Sequence, residues 1–432
     1  MRDDSARAIA CRVVHATESS NEFADERLAA ELGKASLSDV DKNLTTAIVY
    51  GTLARRLSID HQLRPHIKRG LDKVESFILT VLRVSAFQIL YLDRVPAYAV
   101  VNAGVELAKH GHPKAAGFVN AVLRRLANGE PAPPPQESEE DRLAVEYSHP
   151  RWIVRMWMAE LGEAAATALM SADNQANPTV LRVLGRRDET LASLAERGCE
   201  ATACTLAPDA IKVRVPDRCE GLAVSQSEAS QLVCLLVAPN KGDRVLDACA
   251  APGGKSAYLA RLAGEQGRVF AVDPSQTARQ RIKNRLTAAG AAGVTIEQCR
   301  LQEFESDDSF DRVLVDAPCS GLGTLRQHPE IRWRRSPTDL QSLARTQLDL
   351  LRAASRFVRS SGRLVYSTCT ITRAENEEVI DAFLSSNPDF QEDADSPLSP
   401  SLEGLVDDRG RFRTFPHEHD TDGFFAARLR RR

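Results

Sequence analysis

No apolar run in this 432-residue chain approaches the roughly 20 residues needed to cross a bilayer. The opening stretch, MRDDSARAIACRVVH, has no long apolar core of a secretory leader, so a cytoplasmic protein is expected. Charge of neither sign dominates: 56 Lys and Arg stand against 59 Asp and Glu, a net charge of −3, and bulk electrostatics do not single out a nucleic-acid partner. The nine cysteines include no C-x-x-C pair, which argues against zinc and a disulfide framework and for reduced thiols, most of them packing residues. Neither G-x-x-x-x-G-K-[ST] nor G-x-G-x-x-G occurs, so the standard pyrophosphate cradles are missing. No internal repeat is visible.

What is present falls into three folded regions. Residues 1–128 read as an all-α bundle, with apolar residues at three- and four-residue spacing and few glycines or prolines. VESFILTVLRVSAFQILYL is apolar nearly throughout, as a central helix would be, and the stretch that follows reads as two helices broken near Gly111 and Pro113. Prolines and acids over 129–142 read as a linker. Residues 143–222 read as a small α+β connecting module, with a helix from Pro150, strands in TVLRVLG and IKVRV, and a helix in DETLASLAERG. From 223 to 432 strands and helices alternate, which predicts an α/β domain: a mostly parallel sheet covered by helices on both faces.

The chemistry-bearing stretches lie in that last region. In LDACAAPGGKS a strand gives way to small residues, a glycine pair and a helix start, where a ligand can approach the backbone. The next strand closes on Asp273, placed to hydrogen-bond ribose hydroxyls. A nucleoside cofactor without a pyrophosphate loop suggests S-adenosylmethionine. VDAPCSG then puts Asp316 and Cys319 past one strand, and VYSTC puts Cys369 past another; neighbouring strands would bring the thiols together.

Two thiols, a carboxylate and a methyl donor fit methylation at C5 of a pyrimidine. A thiolate adding at C6 breaks the aromaticity and makes C5 nucleophilic. A carboxyl group near N3 offsets charge developing on the ring, and a base must remove the C5 proton before the thiol departs. The residues alone leave open which thiol attacks. A DNA cytosine methyltransferase would depend on Cys319 alone, a tRNA cytosine methyltransferase would share the same chemistry, and a non-catalytic RNA-binding assembly factor would need neither thiol.

CAAPGGKS, DAPCSGLGTLRQHPEIRW and STCTITRAENEEVI together resemble the RNA cytosine-5 methyltransferases, in that family's order. The ending GRFRTFPHEHDTDGFFAARL is similar to the family's C-terminal strands. VVNAGVELAKHGHPKAAGFVNAVLRRL resembles the NusB-like RNA-binding helical domain that one branch of the family carries ahead of a Rossmann-like catalytic domain. The resemblance implies Cys369 as nucleophile, Cys319 assisting product release and Asp316 positioning the target base. It places the cofactor against Cys249, Ala250, Ala251, Pro252, Gly253, Gly254 and Lys255, with Asp273 and Asp316. It also implies 16S rRNA in a small-subunit precursor as partner, with no metal and no membrane; a monomer is expected. Arg300 stands where the family has a further cofactor-contacting acid; either a backbone group or Glu303 replaces that contact, or cofactor affinity differs. Finally, Arg332, Trp333, Arg334 and Arg335 are expected to line an RNA entrance, with Trp333 either stacked on a base or packed in a core.

Overall fold

The computed structural model describes residues 4–432 except Asn21 and Val215. They form two compact units. One comprises the chain through Gln175 together with Leu325–Arg335, the other Ala176–Thr324 with Ser336–Arg432.

The first unit is helical. Its central helix, Ser76–Tyr91, starts where the Glu75 carboxylate accepts the Phe77 and Ile78 N–H groups at 3.1 and 3.0 Å. It buries Ile78, Val81, Leu82, Val84, Ala86 and Phe87, packed against Ala6–Ser19, Ala97–Gly111 and Ala116–Asn128. The break between the last two falls at Gly111–Pro113, as the sequence predicts. Arg83 sits inside this packing at 6% exposure. Its guanidinium grips Asp60 with two hydrogen bonds of 2.7 Å and reaches Glu18 at 2.9 Å.

The proline-rich stretch becomes helical at its end. Ser138 caps the helix Glu139–Tyr147 by accepting the Asp141 N–H at 3.1 Å. Arg151–Leu161 and Glu163–Ala172 follow in the same compact unit. The compact unit thus continues through the helices that follow residue 128.

Within the basic run 332–335, Arg332 is withdrawn from any entrance, whereas Trp333, Arg334 and Arg335 are only partly buried. Arg332 is fully buried and donates to Ala54 O (3.3 Å), Ser148 O (3.1 Å), Asn174 Oδ1 (3.1 Å) and Asp173 O (3.4 Å). Trp333 gives its indole N–H to Leu53 O at 2.9 Å, and Arg334 donates to the carbonyls of Thr17 and Glu22. These side chains anchor Leu325–Arg335 within the helical unit. A buried guanidinium is tolerated there because oxygen acceptors replace the water around its two terminal nitrogens, although Nε has no partner.

The second unit holds two sheets. The small one is antiparallel in the order β2-β3-β1-β4, from β1 (Thr179–Val183), β2 (Ala201–Ala203), β3 (Ala210–Val213) and β4 (Ala223–Ser225). Val215, the last residue of the strand expected over IKVRV, lies outside the described residues.

The large sheet contains β5 (Arg244–Asp247), β6 (Arg268–Val272), β7 (Val294–Glu297), β8 (Phe310–Asp316), β9 (Val358–Thr368), β10 (Phe390–Glu392), β11 (Arg411–Thr414) and β12 (Phe424–Arg431). Its order is β10-β12-β9-β8-β5-β6-β7, with β11 paired to β12. The run from β7 to β9 is parallel throughout, and β12 joins β9 antiparallel. One face packs Leu232, Val233, Leu236, Tyr258 and Leu259 over Val245, Leu314 and Val365. The other packs Leu351, Ala354, Ile380 and Phe383 over Val313, Val315, Leu364 and Tyr366. Burial on both faces explains why these strands read as apolar runs. The Rossmann-like α/β layering is as expected. Among the described residues no helix is long and apolar enough to cross a membrane.

Candidate active site

Three neighbouring strands end on the same residue type: β5 in Val-Leu-Asp247, β8 in Leu-Val-Asp316 and, one residue past its end, β6 in Ala-Val-Asp273. Parallel pairing brings these three carboxylates to one edge of the sheet. Beyond β5 the chain is pinned by Ala248 N–H on Leu314 O (2.8 Å) and Ala250 N–H on Val272 O (3.1 Å). It then turns at Gly253 into the helix Gly254–Ala263. Gly253 has φ +100°, and a Cβ there would lie 3.0 Å from the Ile282 Cα, so only glycine fits.

Asp273 accepts Ala251 N–H at 3.2 Å and Ser275 N–H at 3.0 Å, each through one oxygen, which leaves lone pairs for a ligand hydroxyl. Asp247 is buried; one oxygen accepts Ser256 Oγ–H at 2.6 Å and the other has no partner. Burial pushes its carboxyl up to about 7. Burial also raises the Cys249 thiol, helped by the three aspartates, which suits a packed side chain more than a reactive one. These acceptors, the glycine turn and the free helix start fit a nucleoside cofactor.

Cys319 and Cys369 follow the adjacent parallel strands β8 and β9, whose register pairs Asp316 with Ser367. Ala317 N–H on Ser367 O (2.8 Å) and Gly323 N–H on Cys369 O (3.1 Å) tie the two following loops together. Gly323 meets Gly423 so closely that a Cβ on it would lie 1.9 Å from Gly423 O, so the approach requires glycine. The result is an Sγ–Sγ distance of 3.3 Å, with both thiols half-buried.

Asp316 lies beside them. Its Oδ2 accepts Lys255 Nζ–H at 2.6 Å and its Oδ1 accepts Ser367 Oγ–H at 2.8 Å. Burial works against the Lys255 charge, but the Asp316 carboxylate more than offsets this and raises the ammonium's pKa. Cys319 is held protonated well above the usual thiol range by its hydrogen bond to Cys369, by burial and by the charges of Cys369 and Glu375; Gly321 N–H opposes them.

The structure thus gathers Cys319, Cys369, Asp316 and Lys255 into one cluster, with Cys249–Gly254 and Asp273 on the same sheet edge. Arg300 is exposed, and its N–H is accepted by Glu303 at 3.4 Å, so Glu303 caps its own turn. Sequence reasoning passed over Asp247, although three strands closing on aspartate could have flagged it. It also missed the Lys255–Asp316 pair and the buried Glu375, which carry no local signature.

Residues 234–430 match the family described as 16S rRNA methyltransferase RsmB/F. Residues 4–128 match the NusB family, and 149–219 a ferredoxin-like domain of RsmF/B-like methyltransferases. The chain is 36% identical over 451 aligned residues to the probable ribosomal RNA small subunit methyltransferase B of Bacillus subtilis (strain 168), covering 100% of both. It is 32% identical to the protein of the same description from Synechocystis sp., over 99% of each chain. The crystal structure of PH0851 superposes with a TM-score of 0.84 at 26% identity, covering 99% of this chain and 98% of that one. With such identity along its whole length, the chain belongs to the RsmB/F family of ribosomal RNA small subunit methyltransferases.

Proposed function

We propose that this chain methylates C5 of a specific cytosine in 16S rRNA of a small-subunit precursor, with S-adenosylmethionine as methyl donor. The observation that carries the reading is the pair of thiols 3.3 Å apart at the ends of adjacent parallel strands, beside Asp316. A single thiol suffices for addition to the ring; a second in contact with it supports divided labour.

When bound, S-adenosylmethionine supplies an electrophilic methyl group, and Cys249–Lys255 with Asp273 and Asp316 would hold it. The Cys369 thiolate adds to C6 of the cytosine, making C5 nucleophilic. Asp316, fixed by Lys255 and Ser367, positions the base and offsets charge near N3 during addition. After transfer the C5 proton goes to a base, the C6–Sγ bond breaks and the double bond reforms. Cys319 assists that release. The 3.3 Å contact lets one thiol donate to the other as the C6–Sγ bond breaks, which supports a helper role for Cys319 beside Cys369. The cytosine must be unpaired or flipped for its C6 to reach a thiol.

The test is incubation with labelled S-adenosylmethionine and undermodified 30S-subunit RNA, followed by mapping of the product. Absence of 5-methylcytosine overturns the reading. Cys369→Ser should abolish transfer, whereas Cys319→Ala should trap a covalent RNA adduct. An adduct surviving in Cys369→Ser instead would reverse the two roles.

A further inference from the structure

Glu375 lies in the short turn Arg373–Glu375 after Cys369 and is fully buried. Its Oε1 accepts Ser320 N–H (2.7 Å) and Gln347 Nε2–H (3.0 Å). Its Oε2 accepts Ser320 Oγ–H (2.5 Å) and Thr372 Oγ1–H (2.9 Å). Ser320 follows Cys319 directly, and Thr372 belongs to the loop that carries Cys369. Gln347 also donates to Pro318 O at 3.0 Å, on the other side of Cys319. One buried carboxylate therefore braces both thiol loops. All four of its donors are neutral, so no ion pair cancels its charge. A buried, uncancelled charge acts strongly on what surrounds it.

We propose that Glu375 is a positioning residue that assigns the two thiols their roles: it braces the Cys319 loop against the Cys369 loop and sets a negative charge behind Cys319, making Cys319 the hydrogen-bond donor and Cys369 the acceptor. The 3.3 Å Sγ–Sγ contact has no preferred direction by itself. Among the groups nearby, Tyr366 is neutral, and the Lys255 ammonium, paired with Asp316, acts on the Cys369 side and favours the same direction. Glu375 adds its charge on the Cys319 side, in line with the raised Cys319 thiol. A thiol donor stabilises the partner thiolate both before it attacks and as it leaves.

The inference takes its meaning from the proposed reaction, but its test needs neither RNA nor methyl donor, so the two can fail separately. The Cys369→Ser chain isolates Cys319, and peptide-resolved mass spectrometry follows its alkylation by iodoacetamide as a function of pH. The Cys319 midpoint should lie above the roughly 8.5 of an ordinary cysteine. Adding Glu375→Gln should lower it by about one unit, roughly a tenfold faster alkylation at a fixed pH below the midpoint. Glu375→Asp, which keeps the charge, should leave it within a few tenths. A midpoint unmoved by Glu375→Gln overturns the proposal and leaves Glu375 a structural brace. So does a midpoint at or below 8.5 in the Cys369→Ser chain, a result that stands even if Glu375→Gln does not fold.

Discussion

In the helical unit the buried cation Arg83 is surrounded by its own carboxylates, Asp60 and Glu18, and both guanidinium edges are occupied. At the strand ends of the other unit Lys255 has a single carboxylate partner, Asp316, and Asp247 keeps a buried oxygen with no partner at all. The first arrangement consumes the hydrogen-bonding capacity of its charges; the second leaves some unspent. Burying charge is costly in both places, and the difference lies in what offsets it: internal pairing around Arg83, and a ligand or a bound proton at the strand ends. Substitutions should therefore separate the two regions, acting on stability in one and on chemistry in the other.

The largest effect is expected at Arg83. Arg83→Met strands Asp60 against an apolar side chain, leaves Glu18 only its ion pair with Arg56, and should cost about 3–5 kcal/mol in urea unfolding. Transfer by the folded fraction should be unchanged. A stability loss below about 1 kcal/mol would show that Arg83 is as replaceable as a surface ion pair.

Asp247 tests the unspent side through pH. Its folded carboxyl is pushed up to about 7, against about 3.9 in an unfolded chain. The folded state therefore holds an extra proton between those values. Its contribution is fully present below about pH 4, is lost as pH rises through the window, and is flat above about 7. Asp247→Asn should remove that slope and be more stable than the parent at pH 8, by up to about 4 kcal/mol. Equal unfolding free energies for parent and variant at pH 5 and pH 8 would break the comparison.

Lys255→Met should do the reverse of Arg83→Met. Asp316 keeps the Ser367 hydroxyl as a second donor and reaches solvent, so unfolding should shift by less than at Arg83, about 1–2 kcal/mol. Asp316 would lose the cation that fixes it, and kcat/KM should fall roughly 10²-fold. A stability loss comparable to that of Arg83→Met would place the pair with the structural ones.

The same contrast explains what the sequence revealed. The strand-helix alternation, the glycine turn, Asp273 and the two strand-end cysteines are local patterns, and period and position suffice to read them. Glu375 is hidden in the charged string RAENEE, where nothing marks it as the one carboxylate buried under both thiol loops. The helix Glu139–Tyr147 was read in part as linker because prolines precede it, although Ser138 with acids behind it is a cap signal. The burial of Arg332 is illegible for a deeper reason. A basic run states how many guanidiniums there are, not whether carbonyls from residues 54, 148 and 173 will close around one of them.

Trp333 carries the smallest prediction and the sharpest choice between the two kinds of region. Its indole N–H is used on Leu53 O, and the Arg56 guanidinium lies 5.4 Å from its ring. Trp333→Phe keeps an aromatic face for any base and removes only the donor. If the residue anchors its segment, unfolding should show a loss of about 1 kcal/mol, the worth of one hydrogen bond. Affinity for a 16S rRNA fragment, read by fluorescence anisotropy, should stay within about twofold, since stacking is sequence-tolerant and needs only a π-face. Unchanged stability with weakened RNA binding would move Trp333 out of the structural set, because a side chain already spent on the fold has no reason to register the ligand.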